Sequence, residues 1–136
     1  MPLKVPDEGE LELMDAIRDR FQQQASSCVL HLYKNNITPA DSSVLASFTE
    51  ATFAGYATFL LDAWGAVQTV GGKAVMVHDP CVFEATASDA QIIYGYYVSD
   101  ETVGKVLWAE RFLTSVPILA GTQITITPRI SGRTEF

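Results

Sequence analysis

The stretch QIIYGYYVS, residues 91–99, decides the fold. It is crowded with β-branched and aromatic side chains, which favour strands. Alternation along a strand puts Tyr94 and Tyr96 on one face, with Ile93, Gly95 and Tyr97 on the other. Pieces of the same kind lie on both sides of it. They are CVLHLYK (28–34), YATFLLDAW (56–64), KAVMVHD (73–79), CVFEATA (81–87), KVLWAERF (105–112) and QITITPRI (123–130). Turn residues separate them: Gly71-Gly72, the run from Asp100 to Gly104, and Gly121. Short strands with frequent turns and no alternating long helices predict an all-β body, an antiparallel sandwich or barrel.

The first segment obeys a different period. In DEGELELMDAIRDRFQQQ (7–24), Leu11 or Leu13, Met14, Ile17 and Phe21 recur at steps of three and four, with acids and arginines between them. This predicts an amphipathic helix with Asp7 as N-cap and Glu10 completing a capping box. Such a stripe usually closes one side of its own core; the sharper reading makes it an arm or oligomer contact. Between the first strand and the second, Asn35 and Asn36 offer a turn, Thr38-Pro39 reads as a cap and first helical residue, and 41–48 as a short helix or ordered loop.

The chain has 136 residues, 48% hydrophobic and 18% charged, enough for one core and incompatible with wholesale disorder. The expectation is one domain over 1–136: arm and helix in 1–25, sandwich in 28–130, tail in 131–136. Nine basic against sixteen acidic residues give a net charge of −7, which repels phosphate backbones, so nucleic acid is not an expected partner. Apolar runs break well short of the ~20 residues a spanning helix needs, and MPLKVPDEGE lacks a signal-peptide core, so no membrane is expected. Cys28 and Cys81 read as small buried hydrophobes, and a disulfide is the less favoured reading in a reducing cytoplasm.

Candidate chemistry is sparse. His78, Asp79 and Cys81 are ligand-capable, yet Pro80 forces a corner and further ligands would have to come from elsewhere. His31 on an alternating strand reads as a hydrogen-bonded histidine rather than a base. Glu110, after Trp108, would need a second carboxylate from Glu84, Asp62 or Asp89 to act as a glycosidase, and a solvated partner for Arg111 or Lys105 is the simpler role. Tyr94, Tyr96 and Tyr97 with Trp64 and Trp108 would suit a sugar platform only if they faced solvent together. Asn36-Ile37-Thr38 is a formal glycosylation sequon without consequence in a cytoplasm. No nucleophile elbow, phosphate loop, dinucleotide fingerprint or zinc-protease helix occurs, and neither catalysis nor a cofactor is expected.

Four stretches, LKVPDEGELELMDAI, LHLYKNNITPADSSVLASFTEATFAGYA, QIIYGYYVSD with KVLWAERF, and GTQITITPRI, together resemble the small β-rich structural proteins of tailed bacteriophages and prophages. Within that class the chain looks most like a capsid cement, or decoration, protein. The resemblance implies a jelly-roll-related fold, a homo-oligomer with a trimer favoured, and the major capsid protein as partner. It implies a virion location after synthesis in a bacterial cytoplasm. A minor tail or baseplate protein is the alternative reading, and a carbohydrate-binding sandwich module the second. The expected assembly contacts are Leu3 and Val5, in an extended segment between two prolines, and Met14, Ile17 and Phe21 on the helix. The loop from Asn35 to Tyr56 is a further candidate clamp.

Overall fold

A computed structural model of the chain describes residues 7–23 and 28–132. The elements in order are helix α1 (Asp7–Gln23) and strands β1 (Cys28–Tyr33), β2 (Phe59–Leu60), β3 (Gln68–Val70), β4 (Lys73–Val77), β5 (Cys81–Glu84), β6 (Ile92–Asp100), β7 (Lys105–Pro117), β8 (Gln123–Ile126) and β9 (Arg129–Ser131). A 3-10 turn, Leu45–Ser47, lies between β1 and β2. They form a four-stranded sheet in the order β2-β1-β6-β7, a three-stranded sheet in the order β3-β4-β9, and the pair β5-β8. The described residues are thus strand-rich, with one helix and several antiparallel sheets, as expected. It divides into two compact units. One takes in the helix, Leu61–Cys81 and the chain from Ile126 on; the other takes in Ser26–Leu60 and Val82–Thr125.

In the first unit α1 packs against β4 and β3. Ala74 and Met76 share one face of β4 by the period of two, and both are buried along with Met14 of the helix. A Cβ on Gly132 would sit 3.6 Å from Met14 Cε, which shows how closely the helix approaches the end of β9. Arg18 ties the helix further, donating from Nε to Gly65 O at 2.8 Å and from Nη2 to Trp64 O at 3.3 Å. The hairpin β3–β4 turns on Gly71 and Gly72, with φ of 58° and 74°. Two consecutive positive φ values suit the right-handed twist of a two-residue hairpin, and glycine reaches them without a Cβ clash.

The second unit is built on the four-stranded sheet. All six residues of β1 are buried, although alternation predicted one partly covered side. The face that carries His31 and Tyr33 is covered by the segment that follows the strand, through Ile37, Phe48 and Glu50. Tyr33, Phe48 and Tyr97 form an aromatic cluster, with Tyr33–Phe48 centroids 5.2 Å apart and Phe48 stacked on Tyr97 at 4.7 Å. Ile37, Leu45 and Tyr94 pack around it, so the 35–48 segment is an ordered cover for the sheet.

Three strand readings need correction. YATFLLDAW holds only the two residues of β2, since beyond it Ala63 N–H donates to His78 Nε2 and Gly65 N–H to Val77 O. QITITPRI is two strands in different sheets, broken at buried Pro128, which has no N–H to give a ladder. KVLWAERF continues as β7 to Pro117 through a large bulge: between the pairs Gly95–Arg111 and Ile93–Val116, Tyr94 alone on β6 opposes 112–115 on β7.

Candidate functional site

His31 is the centre of the densest polar arrangement. Cross-strand pairing sets it beside Tyr97, and the two rings stack with centroids 4.5 Å apart and planes 9° apart. The period of two puts Ser99 on the same face as Tyr97, one step along β6. The ring nitrogens meet partners on both sides: Nδ1 lies 2.7 Å from Glu50 Oε2, while Nε2 lies 2.8 Å from Ser99 Oγ and 3.3 Å from Glu101 Oε1. Tyr56 donates to the same Glu50 oxygen at 2.6 Å and accepts from Leu32 N–H at 3.2 Å. Burial, the hydrogen bond to Glu50 and that carboxylate's charge push the Tyr56 hydroxyl up from its ordinary range. Burial and the charges of Glu50 and Glu101 do the same to Tyr97.

Ser99, His31 and Glu50 stand in the order of a hydrolase nucleophile, base and orienting acid. A nucleophile must reach its substrate, however, and Ser99 is 0% exposed with its hydroxyl 3.0 Å from Glu101 Oε1. What the arrangement does is fasten β1, β6, the 49–56 segment and the β6–β7 turn to one imidazole.

His78 is likewise committed. Its Nδ1–H donates to Asp79 O at 2.7 Å and its Nε2 accepts from Ala63 N–H at 2.9 Å, so neither ring nitrogen is left for a ligand. Cys81 is buried beside it, its thiol pushed up to about 11 by burial and then by the charges of Asp79 and Asp62. Neither cysteine forms a disulfide. Among the described residues no group of three His, Cys, Asp or Glu side chains is placed to hold a metal ion, and no helix is long and apolar enough to cross a membrane.

The aromatic residues do not face solvent as one set. Trp64 is buried in the first unit, edge-on to His78 at 5.2 Å, and Tyr97 is buried in the second. Tyr94 packs on the inner cluster, with the Arg111 guanidinium 5.2 Å from its ring. Arg111 also donates to Ile37 O at 2.9 Å, whereas Glu110 accepts from Tyr96 at 2.9 Å; the expected pairing of Glu110 with Arg111 or Lys105 is replaced by these contacts. Burial and the bond to Glu110 push Tyr96 up to about 12.

One exposed apolar feature of the second unit is β7. It is 13 residues long and lies at the outside of the sheet. Leu107 is 40% exposed and Leu113, on the bulge, is completely so at 107%. Beside Leu107, a groove of about 380 Å³ runs between the strand and the 39–48 segment, lined by Pro39, Asp41, Phe48, Leu107 and Trp108 among others.

Of the expected contact residues, Met14 is buried at 4% and engaged in its own unit, while Ile17 is 41% exposed. Leu3, Val5 and the side chain of Phe21 lie outside the described residues. The exposed outer strand was not anticipated, and the run FLTSV after Arg111, where strict alternation fails, was its signal. No protein-family model, curated protein or solved structure matches the chain.

Proposed function

We propose that this is a non-enzymatic structural protein of a tailed-phage virion, a capsid cement protein that holds neighbouring shell subunits together by surface fit. The observation that carries the reading is the outer strand β7. A long sheet edge with exposed leucines is a surface that monomeric proteins normally shorten, charge or cover. Here a bulge instead leaves Leu113 fully in solvent, and Leu107 on the same strand is exposed beside the groove. Covering one such leucine contributes about 2 kcal/mol. That is little for one copy, but a shell repeats the contact many times, and its effect is on the assembled state alone. The resemblance of the four sequence stretches to phage structural proteins supports the same reading.

Within this proposal the sheets form a jelly-roll-like sandwich, and copies associate as a trimer over the major capsid protein. The test is to strip the protein from particles, restore it as wild type or as Leu113→Asp, and measure the temperature at which shells open. Cementing predicts recovery with the wild type and a reduced gain with the variant. Equal resistance of stripped and restored shells rejects the cement role and leaves the tail or baseplate reading.

A further inference from the structure

The geometry around His31 points to a proton-controlled latch on the β6–β7 turn, and we propose that the imidazolium form docks this turn while loss of the proton releases it. Nδ1 faces a carboxylate oxygen of Glu50, an acceptor only, so it carries a hydrogen. On the other side three atoms stand within bonding reach of one another: His31 Nε2, Ser99 Oγ and Glu101 Oε1, separated by 2.8, 3.0 and 3.3 Å. Ser99 supplies one hydrogen to this triangle, and ionised Glu101 supplies none. With the ring singly protonated, the serine hydrogen goes either to Nε2, leaving the Glu101 oxygen facing lone pairs, or to Glu101, leaving Nε2 and Oγ without a hydrogen between them. With Nε2 protonated, the ring donates to Ser99 and Ser99 donates to Glu101, and every acceptor is satisfied.

The titratable groups facing the ring are Glu50 and Tyr56 from the 49–56 segment, Tyr97 from β6, and Glu101 from the turn. The first three belong to the sheet and its cover. Glu101 is the one on a short exposed connection, 101–104, whose other anchors are Thr102 N–H to Asp100 Oδ1 at 2.9 Å and Gly104 N–H to Asp100 O at 2.8 Å. The proton therefore acts on the turn rather than on the sheet. Val103, 57% exposed at the turn's apex, would be carried with it.

The experiment is a pH titration of the whole, isotopically labelled chain by NMR, between about pH 5 and 8, where histidine changes charge. The expected result is that the amide signals of Thr102, Val103 and Gly104 move in step with the His31 ring signals. In Glu101→Gln, an amide nitrogen in place of Oε1 can donate to Ser99 Oγ while the serine donates to Nε2 of the singly protonated ring. The turn signals should then hold the low-pH positions throughout while the ring still titrates. In Ser99→Ala the relay is cut, and the step in the turn signals should shrink at least twofold. Turn signals that ignore the His31 transition in the wild type, or that follow it unchanged in Glu101→Gln, would overturn the latch.

Discussion

Glu50 Oε2 lies 2.6 Å from the Tyr56 hydroxyl and 2.7 Å from His31 Nδ1, so one carboxylate oxygen holds a tyrosine and a histidine together. Removing it in Glu50→Ala strands two donors, of which the His31 ring is nearly buried. The expected loss in chemical denaturation is about 2 kcal/mol, kept modest because Glu50 is 38% exposed and water replaces part of the interaction. Tyr56→Phe should cost about 1 kcal/mol, and the double variant less than the sum.

Gly95 shows a backbone approach that no side chain fits. A Cβ there would overlap Glu110 O and stand 2.6 Å from the Tyr33 hydroxyl. Gly95→Ala should cost about 3 kcal/mol, with loss of cooperativity at the aromatic cluster. Gly71→Ala, with positive φ but nothing within 4 Å of the added carbon, should cost only about 1 kcal/mol. Paired urea melts distinguish the two.

The tyrosines give the protein an alkaline limit. Tyr96 is pushed from 10.0 up to about 12, and Tyr33, Tyr56 and Tyr97 are raised as well. The folded chain holds these protons more tightly than the unfolded chain, so their contribution is complete below about pH 10 and is lost as pH rises toward 12. Unfolding monitored by circular dichroism should coincide with tyrosinate absorbance at 295 nm as a probe wavelength, about that range. Tyrosinate at Tyr33, Tyr56, Tyr96 or Tyr97 near pH 10 with the fold intact would contradict the buried hydroxyl network.

Cys81 should be unreactive in the native protein. Burial, with Asp79 and Asp62 near it, holds its thiol at about 11, leaving little thiolate at about pH 8. A disulfide reagent should modify it only as fast as the chain unfolds, in contrast with immediate reaction in denaturant.

Much of the fold was legible in local pattern. The α1 stripe, the strand character of β1, β4 and β6, and the Gly71-Gly72 and 101–104 turns all follow from side-chain type, period and backbone freedom. Strand β3 was not legible, because its three residues are all exposed and carry no buried face to write an alternation. The bulge of β7 hid for a related reason: 112–115 have no ladder partners to impose the period of two. The His31 arrangement was illegible as a site. Glu50 and Ser99 stand 19 and 68 positions from it, and only strand pairing brings them together.

Leu113 carries the assembly proposal and, being wholly exposed, contributes nothing to the core. Leu113→Asp should therefore leave the urea midpoint unchanged within about 0.5 kcal/mol while weakening self-association in sedimentation by tenfold or more, a change of about 1.4 kcal/mol per tenfold. A variant that associates like the wild type would move the contact elsewhere.

Imaging stripped particles after adding back the purified protein tests the proposed cement role most directly. Cryo-electron microscopy should show restored density on the capsid exterior, bridging adjacent major capsid subunits through the β7 face. Restored density on the tail or baseplate with a bare shell would contradict it.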